Sequence, residues 1–366
     1  ELFDTKDKKV VWSDRWQESW DNLPSIKGNL SDGLLKALDT TSKVERQLET
    51  ANTEAYEFYL KGRYRYAKRK NLDDIEVAQG LLRRAIEIDD GLIIGKVFLG
   101  WSYFGAGNYD KAMEIYTLAL KQAEELDDKK GMGSCLHSIG TVYSNTGNLD
   151  KALDYYNRSL KLAEEFDYKH KLGMTYNNIG IVYYRKGDYD KGLDYFNRSL
   201  KLDETLGSKY GMGYSLNNIG STYADKGDYN KALYNYTRSL KIRKELSDKR
   251  GIGRCFHLIG DVYWNKGDFD TALDYFIRSL NIHKAVGDKR GMIFPLFNIG
   301  YVYMGKGDFG KAVEHLEKSL VIQKEIKMKE ETEWFDTITL LYLSYKNLQK
   351  KYDEQEILNL ISETEN

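Results

Sequence analysis

Residues 176–200 read YNNIGIVYYRKGDYDKGLDYFNRSL, and this stretch decides the fold because close copies of it recur along the chain. Its Ile-Gly pair returns every 40 residues, as the step from Gly140 to Gly180 shows. The five pairs are Ile139-Gly140, Ile179-Gly180, Ile219-Gly220, Ile259-Gly260 and Ile299-Gly300. A fixed period of this length is the sequence signature of an array of stacked supersecondary units.

The first half of each copy predicts a helix that ends in a tight turn. Tyr176, Ile179 and Tyr183 follow the spacing of one helical face, so they are expected in the core. Gly187 then suits the left-handed position that closes a helix, because glycine has no Cβ to resist that conformation. The pattern therefore predicts one amphipathic helix up to this turn.

The second half of each copy predicts another helix, from about Tyr189 to about Leu206, with Asp188 or Asp190 as its N-cap. Further caps are expected before the next units, at Asp128, Ser208, Asp248 and Asp288. Pro295 is expected in the first turn of its helix, where a missing amide hydrogen costs little. The chain thus reads as all-α, with neighbouring hairpins sharing one core.

These residues resemble the tetratricopeptide repeat family. The signature positions of that family are matched by Gly180, Tyr183, Gly187, Tyr189, Lys191 and Leu200. The resemblance covers about residues 54–350 and implies a right-handed α-solenoid of about seven to eight helical hairpins, with a short N-terminal α/β remnant or cap. The units are longer than the ~34 residues usual in the family. In this they are similar to Pins-type polarity adaptors and Rap-type bacterial peptide receptors, which bind peptides or proteins in a concave groove.

The ends of the chain depart from the repeat. We expect residues 1–50 to be an N-terminal extension, and residues 51–366 to be the solenoid, with degenerate terminal repeats acting as caps. Leu2-Phe3 and residues 10–12 read as a strand pair, which predicts the remnant of an upstream α/β domain. Trp12, Trp16 and Trp20 recur every fourth residue and predict a capping helix.

Residues 10–60 carry a second resemblance. The segments 11–15, VWSDR, and 53–64, TEAYEFYLKGRY, look like the junction in bacterial signalling proteins where a TolB-like domain passes into tetratricopeptide repeats. Such junctions often follow a class III adenylate or guanylate cyclase or a DNA-binding regulator. The resemblance implies that this chain is the regulatory or scaffolding part of a larger signalling protein, and that any catalytic domain lies outside it.

Composition narrows the classes of partner. The 55 basic and 56 acidic residues give a net charge of −1, which lacks the basic excess that nucleic acid binding requires. No apolar run reaches the ~18 residues of a membrane span. Cys135 and Cys255 occupy equivalent places three units apart, too far for a disulfide, so free thiols in a reducing cytoplasmic setting are expected.

No enzyme chemistry is expected from this chain. The histidines are spread along the array, so no metal site and no cofactor are predicted. The Gly-x-Gly stretches at 131–133 and 251–253 lie between helices without the lysine of a phosphate loop, so their glycines are expected to be structural. Acidic residues recur in every turn, as capping requires.

One face of the first helices varies from unit to unit, and a surface that reads a ligand would vary in this way. We expect a protein or peptide on this face, with asparagine amides bonding its backbone and aromatic residues taking apolar side chains. The candidate residues are Asn177, Asn178, Arg185, Tyr214, Asn217, Asn218, Arg254, His257, Trp264, Phe294, Phe297 and Asn298. The alternatives are that the amides only cap or solvate the helices, and that the chain is a structural spacer or a homodimerisation module without a groove ligand.

Overall fold

The computed structural model describes residues 2–4, 9–12, 52–69, 72–326 and 332–348. The chain divides into two compact units, unit 1 over residues 1–166 and unit 2 over residues 167–366. That division falls inside the predicted repeat array.

Unit 1 begins with two short strands, β1 (Leu2–Asp4) and β2 (Lys9–Trp12), which pair antiparallel as the sequence predicts. The capping helix predicted around Trp16 and Trp20 lies outside the described residues. Six described helices follow: α1 (Thr53–Ala67), α2 (Leu72–Ile88), α3 (Ile93–Gly105), α4 (Tyr109–Glu125), α5 (Lys129–Asn145) and α6 (Leu149–Glu165).

Unit 2 consists of helices throughout its described part. They are α7 (Lys169–Arg185), α8 (Tyr189–Leu206), α9 (Lys209–Asp225), α10 (Tyr229–Glu245), α11 (Lys249–Asn265), α12 (Phe269–Ala285), α13 (Lys289–Gly305), α14 (Phe309–Glu325) and α15 (Thr332–Asn347). Consecutive helices pair as hairpins, and the first helices of neighbouring hairpins lie side by side. The described part of the chain therefore contains seven helical hairpins and one further helix, which confirms the all-α repeat fold.

The predicted turns and caps are in place. Gly187 adopts a φ of +79° directly after α7, and the Asp188 side chain accepts from the backbone N–H of Lys191 to begin α8. The four inter-unit caps also accept backbone hydrogen bonds as predicted, at Asp128, Ser208, Asp248 and Asp288. The expectation for Pro295 is wrong: α13 already begins at Lys289 behind its Asp288 cap, so this proline lies inside the helix.

The recurring Ile-Gly pair has a packing cause. Ile179 is fully buried, and Gly180 faces the Phe196 ring of the paired helix so closely that an added Cβ would come within 2.7 Å of it. Ser199, three residues further along α8, donates to the backbone carbonyl of Gly173 at 2.9 Å. The ring packed on Gly180 and the buried Ser199 hydroxyl thus hold the two helices of this hairpin together. The opposite side of α7 takes no part in these contacts.

Candidate functional site

The first helices of unit 2 bring most of the candidate residues to one side. We call the surface formed by residues 174–185 of α7, 214–225 of α9, 254–265 of α11 and 294–304 of α13 the first-helix face. Side chains on this surface contact one another across neighbouring helices, first between α7 and α9 and then between α11 and α13.

The first contact is between asparagines of α7 and α9. Asn218 Nδ2 donates to Asn177 Oδ1 at 2.9 Å, and both side chains are partly buried. Further along the same two helices, the Tyr184 hydroxyl donates to the carboxylate of Asp225. The neighbouring helix therefore fixes the amide of Asn218, which keeps its Oδ1 and its second N–H for a further partner.

The second set of contacts joins α11 to α13 in a constant register of 37 residues. His257 lies beside Phe294 with ring centroids 5.9 Å apart. Next in order, Asn298 Nδ2 donates to Asp261 Oδ1 at 3.0 Å. The third pair is Trp264 and Tyr301, whose ring centroids are 4.9 Å apart. Two helices thus present an ordered row of aromatic, polar and aromatic pairs.

Aromatic side chains at this row remain partly open to solvent. The Phe294 side chain is 42% exposed, and Tyr301 and Phe269 are exposed as well. The Trp264 ring contacts both Tyr301 and Phe269 in tilted geometry, the latter at 4.7 Å between centroids. A half-exposed aromatic cluster beside fixed polar groups has the composition of an interface anchor.

Burial shapes the titration of the polar groups in the row. It lowers the pKa of His257, because a charged imidazole would lose its hydration there. His257 Nδ1 is buried without a hydrogen-bond partner, and Nε2 lies 3.4 Å from Asp261 Oδ2. Desolvation raises the pKa of Asp261, although His257 and Asn298 oppose the shift. The His257 side chain is 17% exposed and that of Asp261 is 39% exposed, so the imidazole is the more buried of the two.

Three further candidates lie on the same face with different surroundings. Tyr214 is 51% exposed, and the guanidinium of the buried Arg243 stacks 4.4 Å from its ring centroid. Arg254 and Arg185 are exposed. A fourth candidate, Asn178, is half-buried in α7 beside Asn177.

Two candidates lie deeper than the sequence predicts. Asn217 is only 2% exposed, and its Oδ1 accepts a hydrogen bond from the Cys255 thiol at 3.6 Å. A ligand on the face therefore cannot reach Asn217. The cause is its place on the helix, because it points between α9 and α11 and leaves the outer position to Asn218. Phe297 is half-buried and packs against the core cluster that contains Leu316.

Unit 1 has aromatic residues on its own first helices. Trp101 is exposed on α3 and lies 5.9 Å from Phe104, centroid to centroid. His137 of α5 is buried against Tyr156. Unit 1 therefore presents a small aromatic pair of its own.

A row of buried polar residues in the second helices was not predicted from the sequence. Asp203, Arg243 and His283 occupy one repeat position, and each lies against a glycine of the next hairpin. Arg243 Nη1 bonds Asp248 at 2.6 Å, and His283 Nδ1 bonds Asp288 at 2.9 Å. The sequence signal that could have revealed these residues is that this one repeat position varies from unit to unit, whereas the positions around it stay constant.

The cysteines and histidines form no reactive or metal-binding cluster in the part of the chain that the structure describes. Cys135 and Cys255 are both buried and are not joined in a disulfide, as predicted. Among the described residues no three His, Cys, Asp or Glu side chains gather as metal ligands would. In the same residues no helix has the length and apolar character to cross a membrane.

Several solved structures share this fold. The apo form of RapI is 17% identical over 75% of this chain and 99% of its own, with a TM-score of 0.59. A Rap protein complexed with competence and sporulation factor is 18% identical over 82% and 81%, with a TM-score of 0.58. A signal transduction ATPase with a tetratricopeptide repeat sensor, from Pyrococcus horikoshii, is 15% identical over 86% of this chain and 52% of its own, with a TM-score of 0.60. These likenesses establish the fold.

The family follows from the sequence match. No curated protein gives a significant match to this chain. The model of the tetratricopeptide repeat family matches residues 96–165, 171–245 and 254–325, together more than half of the chain. The chain is therefore a member of the tetratricopeptide repeat family.

Proposed function

We propose that this chain is a non-catalytic module that binds a protein or peptide on the first-helix face of unit 2. The observation that carries the proposal is the row between α11 and α13, where exposed Phe294 lies one helical turn from the fixed amide of Asn298. A peptide needs both features, because its backbone requires donors and acceptors and its side chains require apolar contact. A Rap protein of similar fold was solved with a bound factor, so a fold of this kind can hold a ligand.

The amides support an extended ligand. Asn218 and Asn298 each use one N–H for a neighbouring side chain and keep an acceptor and a second donor. Because the bonded neighbours hold these amides in one orientation, a ligand does not have to order them, which lowers the entropic cost of binding. Asn178 adds a further amide on α7.

The test is selection of peptides from a random library on the full chain, followed by affinity measurement with variants of the face. Phe294→Ala and Asn178→Ala combined with Asn218→Ala are expected to weaken the selected peptides by about tenfold or more. The matched controls lie on second helices: Tyr234→Ala, at a 63% exposed ring of α10, and Asn197→Ala in α8.

Equal losses in the face variants and in the controls would contradict the proposal. Failure of the chain to bind any peptide would do the same, and would leave a structural spacer or homodimerisation role, which light scattering of the chain would reveal as a concentration-dependent mass.

The wider setting is a further part of the proposal. The resemblance of residues 10–60 to the TolB-like junction supports a regulatory or scaffolding role within a larger cytoplasmic signalling protein of bacteria, with a nucleotide cyclase as the candidate parent. Gene sequence upstream of residue 1 tests this directly. An upstream α/β domain followed by this array supports it, and a gene that opens within a few residues of Glu1 contradicts it.

A further inference from the structure

Acidic side chains away from the first-helix face of unit 2 commonly have a basic partner. Asp188 contacts Lys191 at 2.8 Å, and Asp194 contacts Arg198 at the same distance. Lys209 reaches Glu245 in the same way, also at 2.8 Å. Local charge balance is therefore a common arrangement on those surfaces.

The first-helix face breaks this pattern at two carboxylates. Asp225 accepts from the Tyr184 hydroxyl, and Asp261 accepts from the amide of Asn298 and lies near His257. Within the described ranges neither carboxylate has a lysine or arginine at ion-pair distance. The imidazole of His257 is an uncharged neighbour near neutral pH, because burial lowers its pKa.

The nearest cations along α11 do not neutralise Asp261. Arg254 precedes it by seven residues, which is two helical turns or about 10 Å along the axis. Lys266 follows it by five residues at the C-cap, and its ammonium lies over the Tyr263 ring. The Asp261 side chain is 39% exposed, so it is open to a ligand from the solvent side. The negative charge of Asp261 is therefore stabilised only by neighbouring dipoles. A cation bound to this carboxylate would gain more electrostatic free energy than it would in bulk water.

The surroundings of Asp261 also fit the stem of a basic side chain. Trp264 lies one turn further along α11, and Tyr301 stands beside it on α13. Lysine and arginine carry long apolar stems that cover such rings, and their charges are attracted to aromatic faces. An acidic side chain would instead be repelled by Asp225 and Asp261.

We propose that the first-helix face of unit 2 recognises an extended partner segment with two basic side chains, one bound at Asp225 and one at Asp261 beside the packed rings of Trp264 and Tyr301. This inference rests on the proposed peptide-binding function. Neighbouring helix axes lie about 8–10 Å apart and an extended chain advances about 3.3 Å per residue, so the two basic residues are expected about three positions apart.

The experiment uses a random ten-residue peptide library and the full chain. Bound peptides are expected to be enriched in lysine or arginine at positions i and i+3, next to an apolar residue. The tightest peptide then serves as the probe in fluorescence anisotropy. Asp225→Asn and Asp261→Asn are each expected to weaken it by about tenfold or more, since charge-assisted hydrogen bonds are lost.

The matched control is Asp194→Asn, which removes an exposed carboxylate of α8 that already has Arg198 as partner. Its affinity for the probe is expected to equal that of the unchanged chain. On the ligand side, each basic residue is replaced by norleucine. If Asp261 binds one of these basic residues directly, the peptide with norleucine at that position binds Asp261→Asn as tightly as it binds the unchanged chain.

The outcomes separate this inference from the proposed function. Peptides that bind the face without basic residues, and that are insensitive to both asparagine substitutions, overturn the inference and leave the function standing. Absence of any peptide that depends on the face overturns both. If an asparagine variant unfolds, as its urea midpoint would show, the norleucine peptides on the unchanged chain decide the question.

Discussion

Single residues set which side chains of this repeat are available to a ligand. Asn217 and Asn218 are adjacent and chemically identical, yet the first is buried against Cys255 and the second bonds Asn177 on the face. A helical wheel places both on one broad arc, so the sequence could not separate them. The difference depends on where the neighbouring helix lies, which only the packed structure supplies.

Buried polar residues were equally hard to predict. Arg243 and His283 stand in the second helices at a position that reads as surface, because charged side chains are rarely buried. They fit because Gly213 and Gly253 in the facing helices lack a Cβ. The Gly-x-Gly stretches at 131–133 and 251–253 lie inside the first turns of α5 and α11, not between helices as expected. The polar residues that need this space were not foreseen.

At Gly140 an alanine is expected to destabilise unit 1. The added Cβ would lie 2.8 Å from the Tyr156 ring. Overpacking of about 1–3 kcal/mol exceeds the roughly 1 kcal/mol that alanine gains in helix propensity. The urea midpoint should therefore fall. Gly80→Ala is the control, because nothing lies within 4 Å of its Cβ position, and there the midpoint should rise.

The titration of His257 gives a pH dependence. Its folded-state pKa is lowered by burial, whereas the unfolded chain binds a proton near the ordinary value of about 6.5. As the pH falls below that value, the unfolded state binds more protons, so the free energy of unfolding decreases. Stability should be complete above pH 6.5 and should be lost as the pH falls towards the lowered pKa.

Urea midpoints at about pH 7.5 and about pH 5.5, one on each side of the ordinary histidine pKa, check this expectation for the chain and for His257→Gln. The glutamine variant should lose less stability between the two conditions, since it has no proton to bind. Equal losses in both proteins, or an NMR titration midpoint of His257 above 6.5, would show that the imidazole is not held neutral.

At the scale of elements, the sequence predicted most of what the structure contains. The turn at Gly187-Asp188 and the bounds of α8 depend on local chemistry, namely a left-handed glycine and a capping carboxylate, so they could be read without knowledge of the fold. Pro295 was misplaced because a helix start was inferred from the proline, whereas the Asp288 cap had already begun α13.

The choice between Asp188 and Asp190 as the cap of α8 is testable. Asp188 accepts the backbone N–H of Lys191, whereas Asp190 makes an ion pair with Lys226 on the surface. Asp188→Ala is expected to lower the free energy of unfolding, because the cap of α8 is lost, and Asp190→Ala is expected to lower it less. Urea denaturation measures both, and the reverse order would mean that the cap is misassigned.

At the scale of the whole molecule, the 40-residue period predicts the helical hairpins, and the residues at the signature positions carry the resemblance to the family. The period does not show which candidate residues meet across neighbouring helices, because those residues break the period. The row of His257, Asp261 and Trp264 against α13 is such a departure. Its partners Phe294, Asn298 and Tyr301 follow in one register, which became visible only when the two helices were placed side by side.

Photo-crosslinking tests whether a partner peptide lies on the first-helix face. A benzophenone amino acid is introduced at position 294 on the face, or at position 234 on a second helix, and the selected peptide is added under light. If the peptide lies on this face, a covalent adduct forms from position 294 and none forms from position 234. An adduct at 234 with none at 294 would place the peptide elsewhere and overturn the proposal.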